Sequence, residues 1–212
     1  MNDLDYALLK RRIKDLLALD IDAYKTAQMR RRLETFVSRR AAGSVADFCR
    51  DLPKDQEALD ALRDMLTINV SEFFRDAAQF DRLQNQILPG ILAHNPKIRI
   101  WSSACSHGEE PYSIAIILQE LNAAHRATIL ATDIDRAVLA QARAGGPYRR
   151  QDVRNVSAPR LQAFFTRDGE RYTIIENLRR RVDFREVNLL SGRFEPDLDL
   201  IVCRNVMIYF SD

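Results

Sequence analysis

Between two helix- or strand-like stretches the chain reads Ser102-Ser103-Ala104-Cys105-Ser106-His107-Gly108-Glu109-Glu110-Pro111-Tyr112-Ser113, a polar loop after a short apolar run. A pyrophosphate-binding turn wants several glycines and a helix N-terminus free to face an anion. This loop has one glycine and two adjacent acids, which would repel a pyrophosphate and suit a ligand carrying hydroxyls, an ammonium and a sulfonium. Glu109 and Glu110 have a second reading, as acids that stabilise the first turn of a helix by about 0.3–1 kcal/mol each. A further run ends in Thr132-Asp133-Ile134-Asp135. An acid at the end of the second strand, roughly 20 residues past such a loop, is where nucleoside-binding sheets hold ribose hydroxyls. Asp133 is the better placed of the two, and Asp135 is expected to cap the helix beginning near Arg136.

The elements that must position these residues are legible from periodicity. Tyr6, Leu9, Ile13, Leu16 and Leu17 recur at helical steps, as do Met29, Leu33, Phe36 and Val37, then Leu59, Leu62, Met65 and Leu66. Gly43-Ser44 and Leu52-Pro53 punctuate them, which predicts a small helical bundle through about residue 67. From Lys97 the pattern becomes short apolar runs, Ile98 to Trp101, Ala127 to Thr132, Val182 to Val187 and Leu198 to Cys203, with helix-like Tyr112 to Leu121 and Ala137 to Ala144 between them. Such alternation is the signature of a parallel sheet covered by helices, with ligands beyond the carboxyl ends of the strands. Gly146-Pro147, Ala158-Pro159 and Asp168-Gly169 mark turns in between, and Arg171 to Ile175 is expected as an edge strand of a small hairpin.

Composition narrows the function classes. In 212 residues, 46% hydrophobic and 29% charged, no window approaches the roughly 20 apolar residues of a membrane span. Met1 to Lys14 lacks the apolar core of a secretory signal, so a cytoplasmic location is expected. The net charge of +2 argues against a general nucleic-acid binder. Three widely spaced cysteines, Cys49, Cys105 and Cys203, offer neither a disulfide framework nor a paired metal site, and no metal is expected.

The segment Ile100 to Ser113 resembles the first motif of the chemotaxis receptor methyltransferases, the CheR family. Asn69-Val70-Ser71-Glu72-Phe73-Phe74-Arg75-Asp76, Ala131 to Asp135, Asn188-Leu189-Leu190 and Cys203-Arg204-Asn205-Val206-Met207-Ile208-Tyr209-Phe210 resemble further motifs, in the family's order and spacing. The likeness runs from about Tyr24 to the last residue. It implies an α/β fold: a Rossmann-like class I methyltransferase sheet, preceded by a small all-helical domain and carrying a small β-subdomain insertion around 146–181. The expected division is 1–75 for the helical domain and linker, and 76–212 for the S-adenosylmethionine-binding domain. The family fold continues past Asn205 to Phe210 with a helix and two strands, so the sheet is expected to be incomplete at its C-terminal side, with an unpaired edge and uncovered apolar surface.

By the same resemblance the cofactor is S-adenosylmethionine, leaving S-adenosylhomocysteine, and the acceptors are glutamate side chains on the cytoplasmic methylation helices of chemoreceptors. Carried over position by position, the cofactor residues are Asn69, Ser71, Arg75, Glu110, Asp133, Asn188, Leu189, Cys203 and Arg204. Arg75 and Tyr209 are expected to orient the substrate carboxylate. Ser71 stands where threonine is commoner and keeps the hydroxyl, whereas His107 is a loop variant and not a base. Without the resemblance, Cys203 reads as a small core hydrophobe, Phe73 and Phe74 as core anchors, and Arg75 as a surface residue.

One predicted helix holds Lys25, Arg30, Arg31, Arg32, Arg39 and Arg40 against the single acid Glu34, a net +5. Arg31, Arg32 and Arg39 fall off its apolar stripe and should face solvent or a partner. They form either a solvated face or a dock for acidic receptor helices, at receptor arrays. Tethering to a receptor tail is not expected, because the corresponding turn, Thr166 to Arg171, is short and has one glycine. Two rivals remain: a non-catalytic cofactor-binding regulator or remnant of the family, and a nucleotide-dependent oxidoreductase lacking its glycine loop.

Overall fold

The computed structural model describes the chain except residues 18, 41, 42, 68, 70, 191, 193, 211 and 212. Val70 of the Asn69 to Asp76 motif and the last two residues therefore lie outside the described residues. The chain divides into two compact units, Met1–Ile68 with Asn205–Asp212, and Asn69–Arg204. The contact-defined break thus falls before the 69–75 linker, which sequence reading had grouped with the helices.

In the first unit, α1 (Asp3–Leu17), α2 (Thr26–Arg40), α3 (Val45–Asp51) and α4 (Gln56–Thr67) form the bundle. The stripes bury Tyr6, Leu9 and Ile13, then Met29, Leu33 and Val37, then Ala58, Leu62 and Leu66. Each full burial of such a side chain contributes roughly 1.5–3 kcal/mol. The Gly43-Ser44 punctuation is a helix start: Ser44 accepts from the Asp47 amide at 3.1 Å while Asp47 accepts from the Ser44 amide at 3.2 Å, a reciprocal cap. Residues 205–210 belong to this unit because Tyr24 bridges Phe210, their rings meeting edge-on at 5.4 Å, and the Lys25 amide donates to the Tyr209 carbonyl at 3.0 Å.

The second unit opens with α5 (Ala77–Arg82), a π turn (Leu83–Ile87) and α6 (Leu88–His94). Then follow β1 (Ile98–Ser103), α7 (Glu109–Glu120), β2 (Ala127–Asp133), α8 (Arg136–Ala144), β3 (Tyr148–Arg149), α9 (Ala158–Phe164), β4 (Phe165–Asp168), β5 (Arg171–Ile174), α10 (Glu176–Arg179), β6 (Val182–Glu186) and β7 (Leu200–Cys203). The main sheet is parallel in the order β6-β2-β1-β7. Its register aligns Ser103 with Thr132 and Cys203, and Asp133 with Glu186, so the polar ends of all four strands meet at one edge. The central strand β1 is buried at every position but Arg99, as expected where helices cover both faces.

Two local expectations are corrected. The small antiparallel sheet has the order β3-β5-β4, so Arg171–Ile174 is its central strand, not an edge. Tyr148-Arg149, too short to carry an alternation, supplies the third strand. Ala158-Pro159 starts α9 and does not mark a turn, since proline lacks only an amide that a first helical turn leaves unpaired. β7 stands at the edge of the main sheet with Ile201 54% exposed. Among the described residues no helix is long and apolar enough to cross a membrane.

Candidate functional site

The loop between β1 and α7 folds back onto the end of β2. Ala104 and Ser106 adopt φ of 53° and 51°, and the successive amides meet neighbouring acceptors at the end of β2: Cys105 donates to the Thr132 carbonyl at 2.9 Å and Ser106 to Asp133 Oδ2 at 2.8 Å. The Asp135 amide donates to Asp133 Oδ1 at 3.0 Å. Gly108 must be glycine: its φ is +94°, and an added Cβ would stand 3.1 Å from Ala142 and from the Tyr112 ring. Asp133 is buried, and desolvation pushes its carboxyl above the ordinary range against the pull of these amides. Asp135 caps α8 as expected, accepting from the Ala137 amide at 2.9 Å, and also takes the Asn69 side-chain amide at 3.0 Å.

Glu109 and Glu110 do not behave as solvent-facing helix acids. Glu109 is 3% exposed and its Oε2 has no hydrogen-bond partner. Burial pushes its carboxyl up to about 7, opposed by its own amide and the Ser71 hydroxyl. Glu110 accepts from Ser102 Oγ at 2.8 Å and lies 3.5 Å from Arg204 Nη1. Burial carries it up to about 7 as well, against the pull of Ser102, Arg204 and Arg75. The helix dipole favours ionised acids at this position and would lower both values, so the upward shifts are the work of burial overriding it.

Arg204 joins the end of β7 to the segment before α5. Its Nη2 donates to the Arg75 carbonyl at 2.8 Å and to Asp76 Oδ2 at 2.6 Å, and the guanidinium lies 5.2 Å over the Phe80 ring. Arg75 is half-buried, not a surface residue, and its charge reaches Glu110. Val187 donates to the Asp133 carbonyl at 2.9 Å, which sets Asn188 and Leu189, both half-buried, just past Asp133. Asn188 Oδ1 accepts from the Leu190 amide at 2.9 Å. Cys203 is half-buried at the strand end, so it is not the core hydrophobe its apolar run suggested, whereas Phe73 and Phe74 are core anchors. Asn69, Ser71, Arg75, Glu110, Asp133, Asn188, Leu189, Cys203 and Arg204 all belong to the second unit.

Beside this group lies a polar cavity of about 690 Å³, lined by Asn69, Ser71, Glu109, His107, Arg149 and Asp152 among others. His107 Nδ1 is 3.1 Å from Ser106 Oγ and its carbonyl accepts from Tyr148 at 2.8 Å. Sequence reading missed Ser102, which orients Glu110, and Asp76, which holds Arg204. Both lie inside the quoted motifs, but nothing in local spacing pairs Ser102 with Glu110 or Asp76 with Arg204. Among the described residues no group of three or more His, Cys, Asp or Glu could hold a metal ion.

Tyr209 belongs to the helical unit, in the turn Met207–Tyr209. On α2 of the same unit, Arg31 and Arg39 are exposed, and they line a groove of about 610 Å³ with Gln28, Thr35 and Phe36. Arg32 departs from expectation: it is half-buried and its guanidinium donates to the Met65 carbonyl. The last carbonyls of α4 lack intrahelical partners, and a guanidinium within reach satisfies one.

The buried Glu109 and Asp133 and the half-buried Glu110 around one loop, without a multi-glycine cradle, fit a cationic ligand bearing hydroxyls and not a pyrophosphate. Residues 69–212 match the family "CheR methyltransferase, SAM binding domain", and residues 4–67 match "CheR methyltransferase, all-alpha domain". The chemotaxis protein methyltransferase of Listeria monocytogenes is 38% identical over 208 residues, 98% of this chain and 79% of the relative. The protein of that name from Vibrio parahaemolyticus is 34% identical over 224 residues, covering 100% and 80%. Chemotaxis protein methyltransferase 2 of Pseudomonas aeruginosa is 34% identical over 214 residues, covering 97% and 76%.

Proposed function

Since the chain belongs to the CheR family of S-adenosylmethionine-dependent chemotaxis methyltransferases, we propose that it esterifies glutamate side chains on the cytoplasmic methylation helices of chemoreceptors. The observation that carries this reading is the contact set at the strand ends, where Arg204 meets Glu110, Asp76 and the Arg75 backbone while Asp133 is held between loop and strand. The cofactor, when bound, supplies an electrophilic methyl group on a cationic sulfur.

Asp133 would hold the ribose hydroxyls, and Glu110 the positive end of the cofactor. Asn69, Ser71, Arg75, Asn188, Leu189, Cys203 and Arg204 would complete its surroundings. An acceptor glutamate of ordinary pKa near 4.3 is already ionised at neutral pH, so no general base is needed. Positioning does the work, and well-oriented reactants can gain several kcal/mol. In this reading Arg75 and Tyr209 orient the acceptor carboxylate, and the Arg75 guanidinium stabilises its charge. The helical part of 1–75 docks the receptor through Arg31 and Arg39, with Arg32 bracing that face, and 76–212 binds the cofactor together with Asn69, Ser71 and Arg75 of the linker. The protein works in the cytoplasm, recruited to receptor arrays.

The test is calorimetry with S-adenosylhomocysteine followed by labelled methyl transfer to receptor membranes. Binding with transfer, lost in Arg75→Ala and reduced in Tyr209→Phe, is the expected result. Binding without transfer would make the chain a cofactor-binding regulator instead.

A further inference from the structure

We infer that Arg160 is a positioning residue for the proposed methyl transfer, clamping from behind the turn that presents Arg75. The inference rests on the reading that places Arg75 at the reaction. Two non-glycine residues flank Arg75 in left-handed backbone, Phe74 at φ 53° and Asp76 at φ 59°. Such conformations cost free energy and persist only where surrounding groups over-determine them.

Much of the support comes from elements outside the cofactor loop. The Phe73 amide donates to the Asp152 carbonyl at 2.9 Å, and the Phe74 amide to Ser113 Oγ at 3.1 Å. The Phe74 ring meets Phe80 edge-on at 5.3 Å, and the Arg160 guanidinium lies 4.3 Å from its centre. A guanidinium offers a flat face and a fixed fork of donors, and Arg160 uses both. Its Nε and Nη2 take the two oxygens of Glu120 at 2.8 and 2.7 Å, and Nη2 also donates to Gln84 Oε1 at 2.8 Å. Gln84 in turn donates to Glu120 Oε2 at 3.0 Å, closing the ring of bonds. With its edge held this way, the face of Arg160 is fixed against Phe74. One side chain on α9 thereby ties α7 and the π turn to the strained turn. An exposed ion pair would contribute little, but the Arg160 and Glu120 side chains are only 20% and 28% exposed.

Loss of Arg160 should let Phe74 relax and carry the Arg75 guanidinium away from Glu110. Glu110 is faced by Ser102, Arg204 and Arg75, so a displaced Arg75 also leaves its carboxyl harder to ionise. Two readouts follow, the turnover number on receptor membranes and the pH midpoint of S-adenosylhomocysteine binding by calorimetry. Arg160→Ala and Arg160→Lys should each lower turnover by about 10- to 100-fold and move the midpoint upward. Lysine keeps the charge and loses fork and face, so it should not rescue. Glu120→Gln, a milder change, covers the case in which Arg160→Ala folds poorly. Arg75→Ala should show both effects more strongly, and Arg75→Ala with Arg160→Ala should be no worse than Arg75→Ala alone. If Arg75→Ala is silent, the assignment of Arg75 falls and this inference with it. If Arg75→Ala is impaired while the Arg160 variants keep normal turnover and midpoint, or if the losses multiply, only the clamp is overturned.

Discussion

Glu109 and Glu110 are neighbours of one residue type with different surroundings, and the difference predicts different behaviour. Glu110 lies between Ser102 and Arg204, with burial holding its carboxyl near 7. If it receives the positive end of the cofactor, affinity for S-adenosylmethionine should fall by roughly tenfold from pH 8 to pH 6 as Glu110 takes up its proton. Glu110→Gln should bind weakly throughout and flatten that profile in calorimetry. Glu109 has an unpartnered oxygen and the same raised value, so the folded chain binds its proton more tightly than the unfolded chain does. Stability from this site is present below about 4.5 and is lost as pH rises through about 7, by up to about 3 kcal/mol. Glu109→Gln should therefore melt higher than the native chain at pH 8 and about equally at pH 5. A lower melting temperature at pH 8 would mean that the ionised carboxylate is held by a partner. Both acids were visible in the sequence as a pair opening a helix. Their burial was not, because which face of α7 turns inward depends on β2, α8 and Ser71 packing against it.

At the scale of elements, strand and helix identities followed from local pattern because each carries its own periodicity. Val182–Glu186, which alternates apolar and charged residues, and the apolar Leu200–Cys203 are strands within the 182–187 and 198–203 runs where the sequence placed them. The central position of Arg171–Ile174 did not follow, since its second neighbour is only the dipeptide Tyr148-Arg149. Helix ends are locally encoded too. Ser44→Ala removes a reciprocal cap and should cost about 1 kcal/mol of stability, measured by urea unfolding. On α2 the apolar stripe was readable while the fate of each arginine was not, as Arg32 on Met65 shows. Arg31→Glu combined with Arg39→Glu should weaken association with receptor membranes and leave S-adenosylhomocysteine affinity unchanged. Unaltered association would make that face an ordinary solvated surface.

Over the whole molecule, the residues proposed to surround the cofactor are drawn from segments as distant in sequence as Asn69 and Arg204, yet they fall within one compact unit. A ligand that binds this folded unit alone should stabilise it by about 2.7 kcal/mol at 100 times its dissociation constant. S-adenosylhomocysteine should accordingly raise the melting transition by several degrees, and an unshifted transition would mean that the folded chain does not hold it. The sequence by itself determined the helical stripes, the strand-helix alternation, the acids after the first two strands and the family motifs, because each depends on neighbours within a few positions. Only the tertiary structure decided that Ser102 orients Glu110, that Arg204 reaches Asp76, that residues 205–210 join the helical unit and that Arg160 backs Phe74. Those contacts join residues up to about 190 positions apart, and strand register and helix packing set them with no trace in local spacing.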